Sequence, residues 1–264
     1  MISTMAGNKK TGEWIALTLG IGLILALFQA GSDLQGNKVV FPGTGEIGKA
    51  FQDLIVRGET WREIGVTMLQ GIQTILLSAV AGTLLGIAEG LIPYLHALLK
   101  PLHTLLRSMP MIVVAVVVMV MTLFSENLTP LLSGGAVLSP MISEAAYEGC
   151  VRIDPDLTDV YRLDSGISPR ILLRVYLPLI SGYMRQAFVN ACGMGLKIVV
   201  TAEFLVKTAH SLGQAVFSRR QSADYAELFA YALIMVLMVL ALTGIPAVII
   251  RMAGRQKKGE VTSG

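Results

Sequence analysis

Of the 264 residues of the chain, 53% are hydrophobic and 15% are charged, with a net charge of +3 and a mean hydropathy of +0.66. Soluble domains carry roughly 25% charged residues, so this composition excludes an ordinary soluble protein and indicates a membrane protein. The two cysteines, Cys150 and Cys192, are too few for a disulfide framework and lack metal-ligand spacing, so we expect neither metal nor redox cofactor.

Six apolar stretches follow one another along the chain, and a spanning helix needs about 20 such residues. Five of them are uncharged, at residues 14–30, 64–88, 110–124, 128–143 and 228–250. The remaining stretch, the fifth in chain order, begins after Pro178 and contains Arg185, Lys197 and Glu203. The first is longer than the apolar region of a signal peptide and no small-x-small cleavage site follows it, so we expect a retained helix. The pattern predicts an all-α membrane protein with six transmembrane helices.

The placement of Lys and Arg predicts the orientation of these helices. If the N-terminus is cytoplasmic, the inner segments contain Lys9, Lys10, Lys100, Arg107, Arg152, Arg162, Arg170, Arg174, Arg251, Arg255, Lys257 and Lys258. Cytoplasmic loops are enriched in Lys and Arg, so both termini are predicted to be cytoplasmic. We therefore divide the chain into a cytoplasmic N-terminal tail at 1–12, a transmembrane domain at 13–251 and a cytoplasmic C-terminal tail at 252–264.

The segment GTGEIGKA at residues 43–50 nearly matches the phosphate-binding loop G-x-x-x-x-G-K-[ST]. Ala50 stands where the motif needs a hydroxyl to bind magnesium, and the predicted topology places the segment outside the cytoplasm, where ATP is not available. We therefore interpret the segment as a turn. The residues that follow it carry Phe51, Leu54 and Ile55 on one helical face, which predicts a short helix along the outer surface.

The cytoplasmic segment before the fifth span contains two helix starts, each a capping residue followed by proline, at Asp154 and Ser168. Ser165 and Gly166 form a natural stop between them. The apolar face of the first helix consists of Leu157, Val160 and Tyr161. Because such a short helix is marginal alone, this face needs either a partner's groove or the chain's own membrane helices to cover it.

The same segment resembles the signature loop, EAA-x3-G-x9-I-x-LP, of the inner-membrane permease subunits of binding-protein-dependent ABC importers. Counted back from Leu177 and Pro178, Asp159 takes the place of the motif's glutamate. The two alanine positions are held by Val160 and Tyr161, and the glycine position by Ser165, with Gly166 directly after it. A second segment, EAAYEG at 144–149, has one residue too few before its glycine and no Leu-Pro at the required distance.

Four further segments resemble the nitrate, sulfonate, taurine and thiamine-precursor branch of that family. They are FPGTGE at 41–46, GTLLGIAEG at 82–90, LLRSMP at 105–110 and TAEFLVKTAHSLG at 201–213. The resemblance implies a type I ABC importer permease fold in a bacterial inner membrane. It also implies that the chain is a transport subunit and not an enzyme, because in this family a separate cytoplasmic subunit hydrolyses ATP.

The resemblance further implies the partners and the coupling residues. Two ATP-binding subunits would bind the 151–178 loop, a solute-binding protein would deliver the solute from outside, and a second copy of the chain would complete the permease. Membrane lipid is the other expected partner, and nucleic acid is not expected. The coupling residues would be Leu157, Asp159, Val160, Tyr161, Ser165, Gly166, Leu177 and Pro178.

Lys197 and Glu203 are candidates for the translocation pathway, because ionisable groups inside a span face protein or a wet cavity. Lys197 has no carboxylate three or four residues away, so it needs an ion pair from another helix, a translocating anion, or a snorkelling conformation. Glu203 matches the family's AE position, and Lys207 is within local pairing distance of it in sequence.

Two alternative functions remain open at this point. A permease for polar amino acids would share the loop but should show Gly-Gln where Leu157 and Thr158 stand. A membrane scaffold that anchors a cytoplasmic partner without transport is disfavoured by the ionisable residues inside the fifth span. The sequence does not predict the transported substrate.

Overall fold

The computed structural model describes residues 2–36, 40–153 and 175–261, and over these ranges the chain is helical, without strands. The helices are α1 (Ile2–Gln35), α2 (Thr44–Val56), α3 (Gly58–Leu91), α4 (Pro93–Ser108), α5 (Met111–Met121), α6 (Leu128–Val151), α7 (Leu177–Val206), α8 (Leu212–Gln221) and α9 (Tyr225–Val261). The predicted all-α class is confirmed. Both α1 and α9 extend into the terminal segments that the sequence assigned as tails.

Four stretches within the described ranges are long and apolar enough to cross a membrane, namely Ala16–Gln35, Gly58–Leu91, Leu177–Val206 and Tyr225–Gly244. A bent pair of helices, Tyr94–Ser108 with Met111–Met121, would make a fifth span if the two are counted as one. The prediction of a multi-pass helical protein is therefore confirmed, and the count of six spans stays a prediction.

The chain divides into two compact units, and the smaller comprises residues 1–60 and 216–233. In it the ring of Phe28 stacks on Phe41 at 4.8 Å and meets Phe229 edge to face at 5.5 Å. Glu227 forms ion pairs with Arg57 at 2.7 Å and with Arg219 at 2.9 Å. The hydrogen bond from Arg57 to this carboxylate raises the pKa of the guanidinium.

The segment interpreted as a turn at 43–50 is instead the start of α2, and that interpretation was wrong. Glu46 reaches back to accept a hydrogen bond from the backbone N–H of Gly43 at 3.1 Å. Thr44 is held from α1, because its N–H and its hydroxyl both donate to Oε1 of Gln29, at 2.9 and 2.8 Å. A capped helix start satisfies the N–H groups that a turn would leave to water. Of the predicted apolar face, Leu54 is buried.

The larger unit comprises residues 61–215 and 234–264, and its core lies where α3, α5, α6 and α7 meet. Buried side chains in this core include Ile75, Val114, Leu138, Ile142 and Ile198.

The helices α3 and α6 of the larger unit approach closely along a row of three glycines. A Cβ at Gly82 would lie 2.7 Å from the carbonyl oxygen of Ser139, one at Gly86 would lie 2.6 Å from Ala146 Cβ, and one at Gly90 would lie 2.5 Å from Cys150 Cβ. No side chain fits these positions without displacing α6. Small residues four apart permit such backbone contact between membrane helices, and here they fix the α3–α6 crossing.

Candidate functional site

The helix α7 has one buried face and one polar face. Ile180, Ala191, Leu196, Val199 and Ala202 lie on the buried face, and each is almost completely inaccessible. The opposite face exposes Gln186, Asn190 one turn later and Lys197 two turns after that. The amide of Gln186 donates a hydrogen bond to the side-chain oxygen of Asn190 at 3.1 Å. A polar row along a candidate span is costly in hydrocarbon, so this face requires water or protein against it.

Lys197 is exposed although its neighbours Leu196 and Ile198 are buried. Among the residues that the structure describes, its side chain forms no hydrogen bond and no ion pair, while its carbonyl accepts the hydroxyl of Thr201 at 2.8 Å. An unpaired ammonium inside a span costs roughly 2.5–3.5 kcal/mol on insertion scales. Lys197, which the sequence predicted to line the pathway, therefore lies on the exposed face of α7.

A cavity of about 480 Å³ between α6 and α7 continues the polar face. Glu148 and Met141 line it from α6, and Tyr183, Gln186 and Asn190 line it from α7. Glu148 is exposed there. The cavity therefore combines one carboxylate and two amides, groups that can hydrogen-bond a polar solute.

Glu203 lies near the end of α7 and is completely buried. Its Oε2 accepts hydrogen bonds from the hydroxyl of Thr67 at 2.8 Å and from the N–H of Gly213 at 3.3 Å. The Thr67 hydroxyl in turn accepts the N–H of Leu212 at 3.0 Å. These bonds tie α3 to the start of α8. The carboxylate thus satisfies N–H groups of a helix start that is buried away from water.

The turn between α7 and α8 is also held by Glu126, which follows α5. Its Oε2 accepts the N–H of Ala209 at 2.8 Å, and its carbonyl accepts the hydroxyl of Thr208 at 3.0 Å. The turn places Lys207 and His210 at positive φ, 57° and 56°. Glu126 and Glu203 therefore fix a strained turn of five residues, 207–211, which directly follows α7.

A second buried carboxylate, Glu89 of α3, was not singled out from the sequence. It accepts the hydroxyl of Ser143 at 2.6 Å and contacts Nδ1 of His96 at 2.9 Å, and Nε2 of His103 lies 3.8 Å away. The ring of His96 stacks on that of Tyr147 at 3.6 Å. The sequence does contain a signal for this cluster. The acid Glu89 lies at the end of an apolar run, and His96 and His103, which follow it, are two helical turns apart.

Most of the predicted coupling residues lie outside the described residues. These are Leu157, Asp159, Val160, Tyr161, Ser165 and Gly166. Leu177 and Pro178 form the first turn of α7, where proline suits a helix start because its missing N–H would have no partner there. Across the described ranges, no cluster of three or more His, Cys, Asp or Glu side chains is arranged to hold a metal ion.

The comparisons with known proteins agree with this architecture. The family model described as binding-protein-dependent transport system inner membrane component matches residues 79–258. No curated protein matches the sequence. A structure of inward-facing conformations of the MetNI methionine ABC transporter has a TM-score of 0.58 and 18% identity, over 76% of this chain and 96% of that chain. A bacterial ABC transporter involved in the import of the acidic polysaccharide alginate has a TM-score of 0.60 and 16% identity, over 90% of this chain and 96% of that chain. At these identities the similarity establishes the fold, which confirms the predicted type I importer permease architecture.

Proposed function

The chain belongs to the family of inner-membrane components of binding-protein-dependent transport systems, and from this premise we propose how its residues serve transport. The protein is a permease subunit of an ABC importer, a multi-pass protein of the plasma membrane and not itself an enzyme. Membership implies ATP-binding subunits and a solute-binding protein as its partners. The predictions from the sequence of an importer permease, of its place in the membrane and of these two classes of partner are therefore confirmed.

The polar face of α7 lines the solute pathway in this proposal. The observation that carries it is Lys197, which is exposed and has no ion pair among the described residues. It lies in line with Gln186 and Asn190 on a helix that otherwise has the composition of a span. A second copy of the chain would close the pathway by presenting the same face across a two-fold axis. The cavity beside Glu148 would be its inner end.

Glu203 supports this pathway from inside the protein. Because it is completely buried and bonded to Thr67 and Gly213, it holds the 207–211 turn in place. We assign it this positioning role at the outer end of the pathway, next to the strained backbone of Lys207.

Coupling to the ATP-binding subunits is assigned to the 151–178 loop. Asp159 would orient the loop, and Leu157 and Tyr161 would be the apolar anchors, because buried apolar anchors usually dominate the energetics of an interface. Closure of the ATP-binding subunits would move this loop and tilt the spans, so that the pathway opens alternately to each side. In this proposal both chain termini are cytoplasmic, and six spans lie between them.

The solute is proposed to be of the nitrate, sulfonate, taurine and thiamine-precursor type, on the strength of the four segments that resemble that branch. Of the two solved structures, one is a methionine ABC transporter and the other is involved in the import of alginate, so the fold does not identify the solute. A polar amino-acid permease is the alternative within transport. A scaffold without transport is the alternative outside it.

Reconstitution of the chain with its ATP-binding subunits and solute-binding protein in sealed vesicles tests these assignments. We expect ATP-dependent uptake of a small sulfonate, nitrate or thiamine precursor, and little competition by glutamine or histidine. Uptake of a polar amino acid alone would select the alternative permease. ATP-binding subunits that assemble on the chain without uptake of any offered solute would favour the scaffold.

A further inference from the structure

The contact between α3 and α6 extends beyond the glycine row of α3. Three polar residues, Gln70, Thr74 and Ser78, precede that row at the same spacing of four residues. Residues four apart lie on one face of a helix, so these side chains continue the row toward the start of α3. Thr74 contacts α6 there, because a Cβ at Gly134 would overlap its Cγ2. The α3–α6 contact therefore has a glycine half and a polar half.

The side-chain oxygens of Gln70, Thr74 and Ser78 are buried and have no hydrogen-bond partner among the described residues. Thr74 is completely inaccessible and Ser78 is 2% exposed. Both lie in the stretch Gly58–Leu91, which is long and apolar enough to cross a membrane, and hydrocarbon offers no hydrogen bond. Buried polar atoms in proteins are nearly always bonded to protein or to bound water. These three oxygens therefore need a bound ligand.

Other hydroxyls in the helices are satisfied by their own backbone. They donate to the carbonyl oxygen four residues earlier, as do those of Thr83, Thr104, Thr201 and Thr243. This bond needs no water and is therefore well suited to a helix in an apolar environment. Thr74 and Ser78 do not form it. Their hydroxyls are left to bind another molecule.

The spacing of the row indicates the size of that molecule. The Cβ atoms of residues four apart on a helix are about 5–6 Å from each other, which is too far for a direct hydrogen bond between short side chains. One water molecule spans this distance, because it lies about 2.8 Å from each oxygen that it joins. Water can also donate to an amide oxygen and both donate to and accept from hydroxyls.

A cavity gives water access to one end of the row. Ser78 lines this cavity of about 740 Å³, together with residues of α5 and α6 such as Val114 and Ser139. Most of the cavity wall is apolar and does not itself hold water. The polar row at its edge does have the groups that bind water.

We propose that two water molecules are bound in the polar half of the α3–α6 contact. One bridges Gln70 and Thr74, and the other bridges Thr74 and Ser78. The Thr74 hydroxyl donates to one water and accepts from the other, and the side-chain oxygen of Gln70 accepts a hydrogen bond. The cavity at Ser78 is the route by which the waters exchange. The same pair of helices is thus dry at the glycine row and hydrated in the turns before it.

Electron cryo-microscopy of the complete transporter in nanodiscs, at a resolution that shows ordered water, tests the site directly. We expect two density peaks along α3, each within about 3.2 Å of two side-chain oxygens of the row. Absence of the peaks would overturn the proposal, as would hydroxyls of Thr74 and Ser78 turned to the carbonyls of their own helix. A single peak with about six oxygen ligands would also overturn it, because that peak would be a metal cation.

Thermal unfolding of the purified permease gives a second test, in which the direction of the change decides. Thr74→Val keeps the shape of the side chain and removes the hydroxyl that both waters share. We expect the melting temperature to fall by about 2–4 °C, as for the loss of one hydrogen bond in a chain of this size. If the hydroxyl were dry and unpartnered, its replacement by an apolar group would raise the melting temperature.

Two further variants complete this test. Thr83→Val is the control, because the Thr83 hydroxyl, also on α3, bonds to the carbonyl of Ala79, and the melting temperature should change less. Ser78→Ala should lower it, and the loss in the double variant with Thr74→Val should be smaller than the sum, because the two hydroxyls share a water. Additive losses, a rise in Thr74→Val, or equal losses in Thr74→Val and Thr83→Val would overturn the proposal.

Discussion

The hydroxyl of Thr67 and the carboxylate of Glu203 are hydrogen-bonded at 2.8 Å, although 136 residues separate them in the chain. The same hydroxyl accepts the N–H of Leu212, so one threonine joins α3, α7 and α8. We predict that Thr67→Val lowers the free energy of unfolding by roughly 1–3 kcal/mol, because it leaves a buried carboxylate oxygen and a buried N–H with one partner fewer.

Thermal unfolding of the purified permease in detergent measures this effect. Thr104→Val is the matched control, because the Thr104 hydroxyl is exposed and bonds only to the carbonyl of its own helix at Lys100. A loss of stability in Thr67→Val no larger than that of the control would contradict the positioning role of Glu203.

Two adjacent glycines on α6 are predicted to respond oppositely to alanine. At Gly134 a Cβ would overlap Cγ2 of Thr74, whereas at Gly135 nothing lies within 4 Å. Overpacking of a buried contact costs typically about 1–3 kcal/mol, and Thr74 is β-branched and cannot rotate away without cost. Gly134→Ala should therefore lower the melting temperature, and Gly135→Ala should leave it unchanged or raise it slightly. Equal melting temperatures would mean that α3 and α6 are further apart than described.

Lys197→Met is predicted to lower ATP-driven uptake by about fivefold or more without reducing assembly, because the charge is exposed on the proposed pathway face and pairs with no group in the described part of the chain. Lys197→Arg should retain most of the uptake. Lys49→Met, which removes an exposed lysine from α2, serves as the control. If Lys197→Met fails to accumulate and removal of a nearby carboxylate restores it, Lys197 is half of a structural ion pair.

The topology predicts which side of the membrane each segment faces. A cysteine introduced at position 45 should react with a membrane-impermeant maleimide added from outside, and one at position 156 should react only after permeabilisation. Replacement of the buried native Cys150 and Cys192 by serine gives the background for this labelling. Reaction of both positions from the same side would overturn the orientation, and with it the reason for rejecting ATP binding at residues 43–50.

The coupling loop is tested by Tyr161→Ala and Asp159→Ala. Loss of a buried anchor at an interface commonly costs about 2 kcal/mol or more, so Tyr161→Ala should release the ATP-binding subunits during purification. Asp159→Ala should keep them bound but make ATP hydrolysis insensitive to the solute-binding protein, because an acid that orients the loop matters chiefly when the loop moves. Wild-type association and stimulation in both variants would mean that the 151–178 loop does not couple the subunits.

Local patterns in the sequence predicted the helices, but contacts between distant residues were not predictable. The uncharged runs predicted α1, α3 and α9 well, because length and hydropathy decide where a span lies. The role of Glu89 depends on Ser143, 54 residues away, and nothing near Glu89 reports that contact. Glu203 was placed in the fifth span, yet its burial depends on Thr67 in α3.

The start of α2 shows a different limit. Gly43 and Glu46 have the spacing of the N-cap and N3 residues of a capping box, which predicts a helix start. The same residues also match a nucleotide-binding loop, and that match does not predict a helix start at Thr44. Interpreted as a capping box, residues 43–46 predict the start of α2 correctly.

The glycine row of α3 has a mechanical consequence. Side chains that interdigitate between two helices let one helix slide past the other, because each chain can change rotamer as it moves. At Gly82, Gly86 and Gly90 the backbone of α3 instead meets short or β-branched side chains of α6, namely Ile142, Ala146 and Cys150, which have few rotamers to change. We therefore expect α3 and α6 to rotate together if the 151–178 loop is displaced.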